Sequence, residues 1–278
     1  MIVCGLHLVA SARGTTARMQ LTTRWGTPMR CGNGLLLGIG AYCSVLIIGC
    51  AQYTTPAGGV SMESLAKADA GISERMQREP AAPFPARLAF VRVQDNGYHS
   101  YRSDSYGSGN YSVVTVREVE QDKDLERIQR LPMIRDVATL NRLVIPGKLE
   151  SDKELRLAAA SLKADLLLAY TFDTTYRING KDVGPLGLIT LGFVPIDEAV
   201  VTSTASAALF DVRTGYVYGL AEATARESQH TNAWHTQAAA DEGRVSAERK
   251  AFEQLLTNFE GIWKNVVQEH ARTASAKP

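Results

Sequence analysis

The sequence predicts an α/β (α+β) protein, a mixed β-sheet with helices packed on it and a long C-terminal amphipathic helix. Three features carry this expectation. Ser151-Asp152-Lys153-Glu154 has the serine-to-glutamate spacing of a capping box, which starts a helix between a short strand candidate at 141–145 and an apolar strand at 164–172. Arg213-Thr214-Gly215 separates two strand-like runs, 200–211 and 216–225, and Gly215 supplies the positive backbone angle of a tight antiparallel turn. Residues 244–270 set Val245, Phe252, Leu255, Leu256, Phe259, Trp263, Val266 and Val267 on one helical face, long enough to cover a sheet. With 45% hydrophobic and 21% charged residues among 278, the composition is that of a globular chain, not a disordered one.

The remaining elements follow in chain order. Residues 53–59 (YTTPAGG) read as a slack tether, because Pro56, Gly58 and Gly59 oppose regular structure. Residues 60–78 place Met62, Leu65, Ile72 and Met76 at three- and four-residue steps, interrupted by Asp69. This reads as a modest amphipathic helix that caps the core, in preference to one lying on a membrane or partner. Pro80, Pro83 and Pro85 end it and stiffen the way into the domain. Residues 87–94 alternate at period two, burying Leu88, Phe90 and the partner face of Arg92 in a first strand. Residues 95–110 (DNGYHSYRSDSYGSGN) are a surface loop, 111–119 a second strand, and 122–131 a helix stopped by Pro132. The strand candidate at 141–145, the capped helix through Leu155, Ala158, Ala159 and Leu162, and the strand at 164–172 form a crossover unit, so parallel pairing is expected. Residues 184–195 (GPLGLITLGFVP) are apolar but carry three glycines and two prolines, which suits an exposed or edge hairpin arm.

The N-terminal segment has its own logic. Residues 35–49 form an uncharged apolar run, preceded by Arg24 and Arg30 and closed by Gly49 and then Cys50, the layout of a secretory signal. As a helix it reaches only about 22 Å, short of the roughly 30 Å hydrocarbon core, so spanning is the weaker reading. Leu46-Ile47-Ile48-Gly49-Cys50 resembles the lipobox of bacterial lipoproteins, with an aliphatic residue three before the cysteine and a small residue directly before it. The resemblance implies that the sulfur of Cys50 receives a diacylglycerol, that cleavage falls between Gly49 and Cys50, and that the new amino group is acylated. Because Ala51 and Gln52 follow, and not Asp, it also implies sorting to the periplasm-facing side of an outer membrane. Met29-Arg30 would open a signal of ordinary length, which makes Met29 the expected start. The expected division is thus 1–49 signal peptide, 50–85 lipid-anchored tether with a short helix, 86–270 a single α/β domain and 271–278 a disordered tail.

Charge and chemistry narrow the function. Four of the 30 basic residues, Arg13, Arg18, Arg24 and Arg30, precede Cys50 without an acidic residue, so 26 basic and 29 acidic residues lie beyond it and the net charge there is −3. That balance offers no phosphate-binding footprint, and nucleic acid is set aside. The four cysteines are Cys4, Cys31, Cys43 and Cys50, which excludes a disulfide framework in the mature domain. No G-x-S-x-G, GxGxxG, GxxxxGK or H-E-x-x-H is present, so no cofactor, metal or catalytic residue is assigned. Ser64-Leu-Ala-Lys67 matches S-x-x-K but lacks both partner motifs. His230, His235 and Asp241 could meet at a metal, though solvated loop histidines are the commoner case. Asp165, Asp173, Asp182, Asp197 and Glu198 are ordinary strand-end and turn acids unless three of them converge in a pocket. What stands out is the loop carrying Tyr98, Tyr101, Tyr106 and Tyr111, a candidate partner surface, because tyrosine offers contact area at small entropic cost.

The element order, with A-x-x-L-x-A-D-L-L-L at 159–168 and the late hairpin, resembles the periplasmic α/β domains of curli-secretion-type and penicillin-binding-protein-activator lipoproteins. The resemblance spans about 87–267 and implies a small mixed sheet with helices on one side and a role in binding or assembly. The expected function is a non-enzymatic envelope lipoprotein that scaffolds or regulates a protein partner. Two alternatives stand beside it: a subunit of an outer-membrane secretion channel using the 184–194 arm, and an envelope hydrolase with carboxylate catalysis.

Overall fold

The computed structural model describes residues 51–54, 58–63, 71–178, 181–183, 188–191, 199–229 and 237–276. Its strands are β1 (Ala51–Thr54), β2 (Ala86–Gln94), β3 (Ser108–Gly109), β4 (Ser112–Val114), β5 (Ile134–Thr139), β6 (Lys148–Leu149), β7 (Leu166–Ile178), β8 (Lys181–Val183), β9 (Leu188–Leu191), β10 (Ala199–Asp211) and β11 (Val217–Gln229). Its helices are α1 (Ile72–Gln77), α2 (Asp122–Gln129), α3 (Asp152–Ser161) and α4 (Gln237–Ala276).

The principal sheet is mixed and has seven strands, in the order β11-β10-β7-β2-β4, with β5 also on β2 and β8 also on β7. β7, β10 and β11 are each 13 residues long and pair antiparallel along their lengths. β2 runs parallel to both β7 and β5. This confirms the α/β class and the hairpin, whose Gly215 has φ +71°. The parallel pairing exists, but not through the strand expected at 141–145. Asn141 accepts the Leu143 N–H on its side chain at 3.0 Å and the Val144 N–H on its carbonyl at 3.2 Å, a local turn that leaves Leu143 exposed. β2 instead pairs parallel with β5 on one side and with β7, the strand expected at 164–172, on the other.

Two apolar layers sandwich the sheet. On one face Leu88, Phe90, Leu168, Tyr170, Phe172 and Leu209 meet Phe252, Leu256, Phe259 and Trp263 of α4 and Ile128 of α2. On the other, Ala89, Val91, Leu167, Ala169 and Phe210 meet Leu155, Ala158 and Ala159 of α3. Helices therefore lie on both faces, correcting the one-sided arrangement that the resemblance implied. This also explains why β2 is buried on both sides, where simple alternation predicted one.

Caps and close contacts set the ends. Ser151 caps α3 as expected, with its N–H bonded to Glu154 at 2.8 Å and its hydroxyl accepting from Lys153 N–H at 3.3 Å. The helix closes with Lys163 at φ 55°, where Lys163 N–H reaches Ala160 O and Ala164 N–H reaches Ala159 O. That is a Schellman closure with lysine in the position glycine prefers. Gly109, at φ 130°, lets β3 approach β6 so closely that a Cβ would stand 2.3 Å from Leu149 O.

Three more expectations are corrected. The strand at 111–119 shrinks to β4, because Glu118 and Glu120 leave the ladder for Arg244 and Tyr170. The helix at 60–78 is described as α1 alone with a helical pair at 62–63, and Ile72 and Met76 are exposed, so α1 does not cap the core. The expected slack at 53–59 is taken up at both described ends. β1 pairs antiparallel with β9, from Ala51 opposite Leu191 to Thr54 opposite Leu188. Val60 N–H donates to Thr171 Oγ1 at 3.0 Å, and Val60 and Met62 pack on the second core.

Because lysine in a left-handed conformation is strained by about 1–2 kcal/mol while glycine is not, Lys163→Gly should stabilise the domain. A gain of about 0.5–1 kcal/mol in urea unfolding is expected, after the added freedom of the unfolded glycine chain is subtracted.

Candidate functional site

The charged interior is built where three sequence-distant segments meet. Arg92 lies on β2, Arg244 and Glu248 on α4, and Glu118 on the segment after β4, and all are shut off from water. Arg244 donates to Glu118 Oε2 at 2.5 Å, to Asp241 Oδ1 at 2.8 Å and to Glu248 Oε2 at 2.8 Å. Arg92 donates to Glu248 Oε2 at 3.3 Å and to the Tyr98 hydroxyl at 3.0 Å, and Arg244 reaches the same hydroxyl at 3.4 Å. Glu248 Oε1 accepts from Thr174 at 3.1 Å. Arg102, half exposed, closes the cluster on Asp241 at 2.6 Å.

Arg92 illustrates the chemistry. Its Nε and Nη1 make no hydrogen bond, but the guanidinium lies 4.7 Å from the Phe172 ring centroid and 5.4 Å from that of Tyr98, so ring faces take the place of acceptors. Burial alone would favour loss of its proton. Tyr98, Glu248 and Glu120 reverse that, and Arg92 is held above its ordinary range. For Glu118 burial pushes the carboxyl up, but Arg244, the Ser103 hydroxyl and Arg92 overcome it and hold it below the usual carboxylate range.

The tyrosines expected to form a partner surface do not do so together. Tyr98 and Tyr111 are fully buried: Tyr98 serves the two arginines, and Tyr111 donates to Ser151 O at 2.7 Å. Tyr106 is half-buried under Arg142, and only Tyr101 is exposed. A polar loop composition hid this, because a hydroxyl that finds an interior partner makes tyrosine a core residue. Gly49 and Cys50 lie outside the described residues, as do Ser64, Lys67, His230 and His235. Asp241 is engaged by Arg102 and Arg244. Asp165 and Asp173 are eight residues apart along one strand direction, about 26 Å, and do not converge. Asp182 belongs to β8, whose side chains are outside the described set, as are Asp197 and Glu198. The arm at 184–194 is described only as β9, four residues long.

A concave site that sequence reasoning missed opens elsewhere. A groove of about 640 Å³ runs between the start of β11 and the C-terminal half of α4, walled by Phe84, Tyr216, Tyr218, Ile262 and Val266. The Tyr216 and Tyr218 rings meet edge-on at 5.1 Å, and Phe84 lies 4.4 Å from the His270 ring. Asp211 anchors this corner: its carboxylate accepts from Ala81 N–H at 2.7 Å, Arg213 N–H at 2.8 Å, Thr214 N–H at 3.1 Å and the Tyr218 hydroxyl at 3.2 Å. Burial first, and Asp211 second, raise Tyr218 above the ordinary phenol range, so it stays a neutral donor. The readable signal was Tyr216-x-Tyr218 directly after the hairpin turn, opposite an α4 face whose apolar stripe continues through Ile262 and Val266.

No family model matches this chain, and no curated protein sequence does. Solved structures show similarity at low identity. Protein XCC0632 of Xanthomonas campestris, of family DUF330, is 12% identical, with 68% of this chain and 93% of that chain covered and a TM-score of 0.32. Lipoprotein GNA1162 of Neisseria meningitidis is 14% identical, covering 61% of this chain and 99% of its own, with a TM-score of 0.29. Protein CT253 of Chlamydia trachomatis is 11% identical over 64% and 96%, with a TM-score of 0.28. At these scores neither fold nor function carries over from them.

Two outcomes test the charged interior. Arg244→Met strands three buried carboxylates and should cost about 3–5 kcal/mol in urea unfolding, the range for breaking a buried ion pair from one side. The second concerns acid. The folded-state value of Glu118 lies below its unfolded value of about 4.3, so the unfolded chain takes the proton first. Its contribution is complete above that value and is lost as the pH falls through the lowered folded value. Thermal melting across the acid range should show the loss, and Glu118→Gln should flatten it.

Proposed function

We propose that this chain is a bacterial envelope lipoprotein, anchored through Cys50, whose domain binds a protein partner and does not turn over a substrate. The observation that carries this is the position of Cys50. It is the last cysteine of the chain, it closes Leu46-Ile47-Ile48-Gly49, and it stands one residue before a strand that the domain pairs. Lipid on that sulfur suffices physically, because each buried methylene contributes about 0.8 kcal/mol and two or three chains together hold a protein permanently at a bilayer. The binding half of the reading is supported by the aromatic groove, which offers contact area of the kind found at interface centres. Ala51 and Gln52 support placement on the periplasmic face of the outer membrane.

Radiolabelled palmitate should enter the wild-type chain and not Cys50→Ser, and the variant should leave the membrane pellet for the soluble fraction. Equal sedimentation of the unlabelled variant would contradict the anchor.

A further inference from the structure

One end of the sheet carries a charge arrangement that the groove alone does not explain. There β2, β5 and β7 begin and the β10–β11 turn closes, bringing Arg87, Arg135, Lys163 and Arg213 to the same end. The acids among them face inward. Asp211 is fully buried and its oxygens are filled by three backbone N–H groups and Tyr218. Asp165, 8% exposed, accepts the Arg87 N–H at 3.0 Å. Two that do reach water are Asp136, which Arg87 engages at 3.1 Å, and Glu74, which pairs with Arg78 at 3.9 Å beside Gly215 O.

The arginines point the other way. Arg135 and Arg213 are 60% and 62% exposed and approach Asp165 from opposite oxygens, at the long distances of 3.5 and 3.6 Å. One buried carboxylate already bonded to backbone does not satisfy two guanidinium groups, each with five donors in a planar fork. Their remaining donors face solvent as a pair. A domain of net charge −3 thus presents a positive end, and such a field favours an acidic partner.

The groove adjoins the turn that carries Arg213: Asp211 accepts both the Arg213 N–H and the hydroxyl of Tyr218, which lines the groove. Three residues after Arg213, Tyr216 enters the groove wall, where the exposed Arg272 and Glu269 also lie as an ion pair at 3.4 Å. Apolar rings and unfilled guanidinium donors therefore adjoin. We propose that this end docks an acidic, apolar-faced segment of another envelope protein, its carboxylates on Arg135 and Arg213 and its apolar side chains between Phe84, Tyr216 and Ile262.

Position favours a protein over the anchoring bilayer. β7 runs 13 residues, about 40 Å, from this end to the one where β8 leads to β9 and so to β1. The choice of protein over lipid rests on the anchor at Cys50; the docking chemistry does not.

The test uses the full lipidated chain in nanodiscs of zwitterionic lipid, with a fluorescent peptide whose glutamates and leucines are spaced on opposite helical faces. Anisotropy should report binding that empty nanodiscs lack and that a lysine-for-glutamate peptide lacks. Arg135→Glu with Arg213→Glu should weaken it by about tenfold or more, and added salt should do the same. Arg135→Gln with Arg213→Gln should fall between, and Arg130→Glu, an exposed charge just after α2, should change nothing. Circular dichroism melting of each variant separates lost binding from lost folding. Unchanged affinity in the double reversal, with the fold intact, overturns the proposal. Flotation of the Cys50→Ser chain with phosphatidylglycerol vesicles, dependent on these arginines and without peptide binding, overturns it in favour of lipid. The Cys50→Ser chain in solution should bind the peptide as the anchored chain does, so a failed anchor shows in palmitate labelling and a failed docking site in anisotropy.

Discussion

Two guanidinium groups without access to water, Arg92 and Arg244, tie the loop after β2 and the start of α4 to the sheet. Removing a charge from water costs several kcal/mol unless partners replace the hydration, and here the replacements are Tyr98 and Glu118 of the 95–120 segment, the Phe172 ring of β7, and Asp241 and Glu248 of α4. The loop is rich in Ser, Asp, Gly and Tyr and buries few apolar side chains. Tyr98 and Glu118 of this loop close on the arginines, and Ser100 bonds Ser103 and Glu118 behind them. The same cluster fixes the register of α4. Asp241, Arg244 and Glu248 share one helical face, and the stripe of Phe252, Leu256, Phe259 and Trp263 follows from them onto the sheet.

That register has a consequence at the far end. With α4 pinned at its start and packed along β10 and β11, its C-terminal half is carried past the hairpin turn, where Ile262 sits against Gly219 and Trp263 donates to Pro132 O at 2.8 Å. The groove is the space this overhang leaves beside Tyr216 and Tyr218. One end of the sheet is thus tied by buried ions and leads into the strand after Cys50, while the other exposes rings and arginines. The proposed anchor and docking site use that polarity.

Much of the fold was legible because local rules and tertiary packing agree there. Ser151 and Glu154, Gly215 and the α4 stripe each act through a mechanism contained within a few residues. Where packing between distant segments decides, the reading failed. β5 has no clear alternation, and it is a strand because β2 offers it a parallel edge. Residues 141–145 look like a strand and turn locally on Asn141. The site was less legible still. The tyrosines at 98 and 111 were read by composition as surface, but a buried hydroxyl partner, invisible in one sequence, makes them core. Phe84, Arg135, the 213–216 turn and Ile262 are far apart in the chain, and what brings them to one end is sheet order.

Hydrogen exchange on Arg244→Met tests the central role of the buried arginines most directly. Faster exchange is expected at residues 98–120 and 237–250 together, with β10 and β11 protected as in the wild type. If the two segments loosened independently, or if neither changed, the ion cluster would not be what binds the loop and the helix to the sheet.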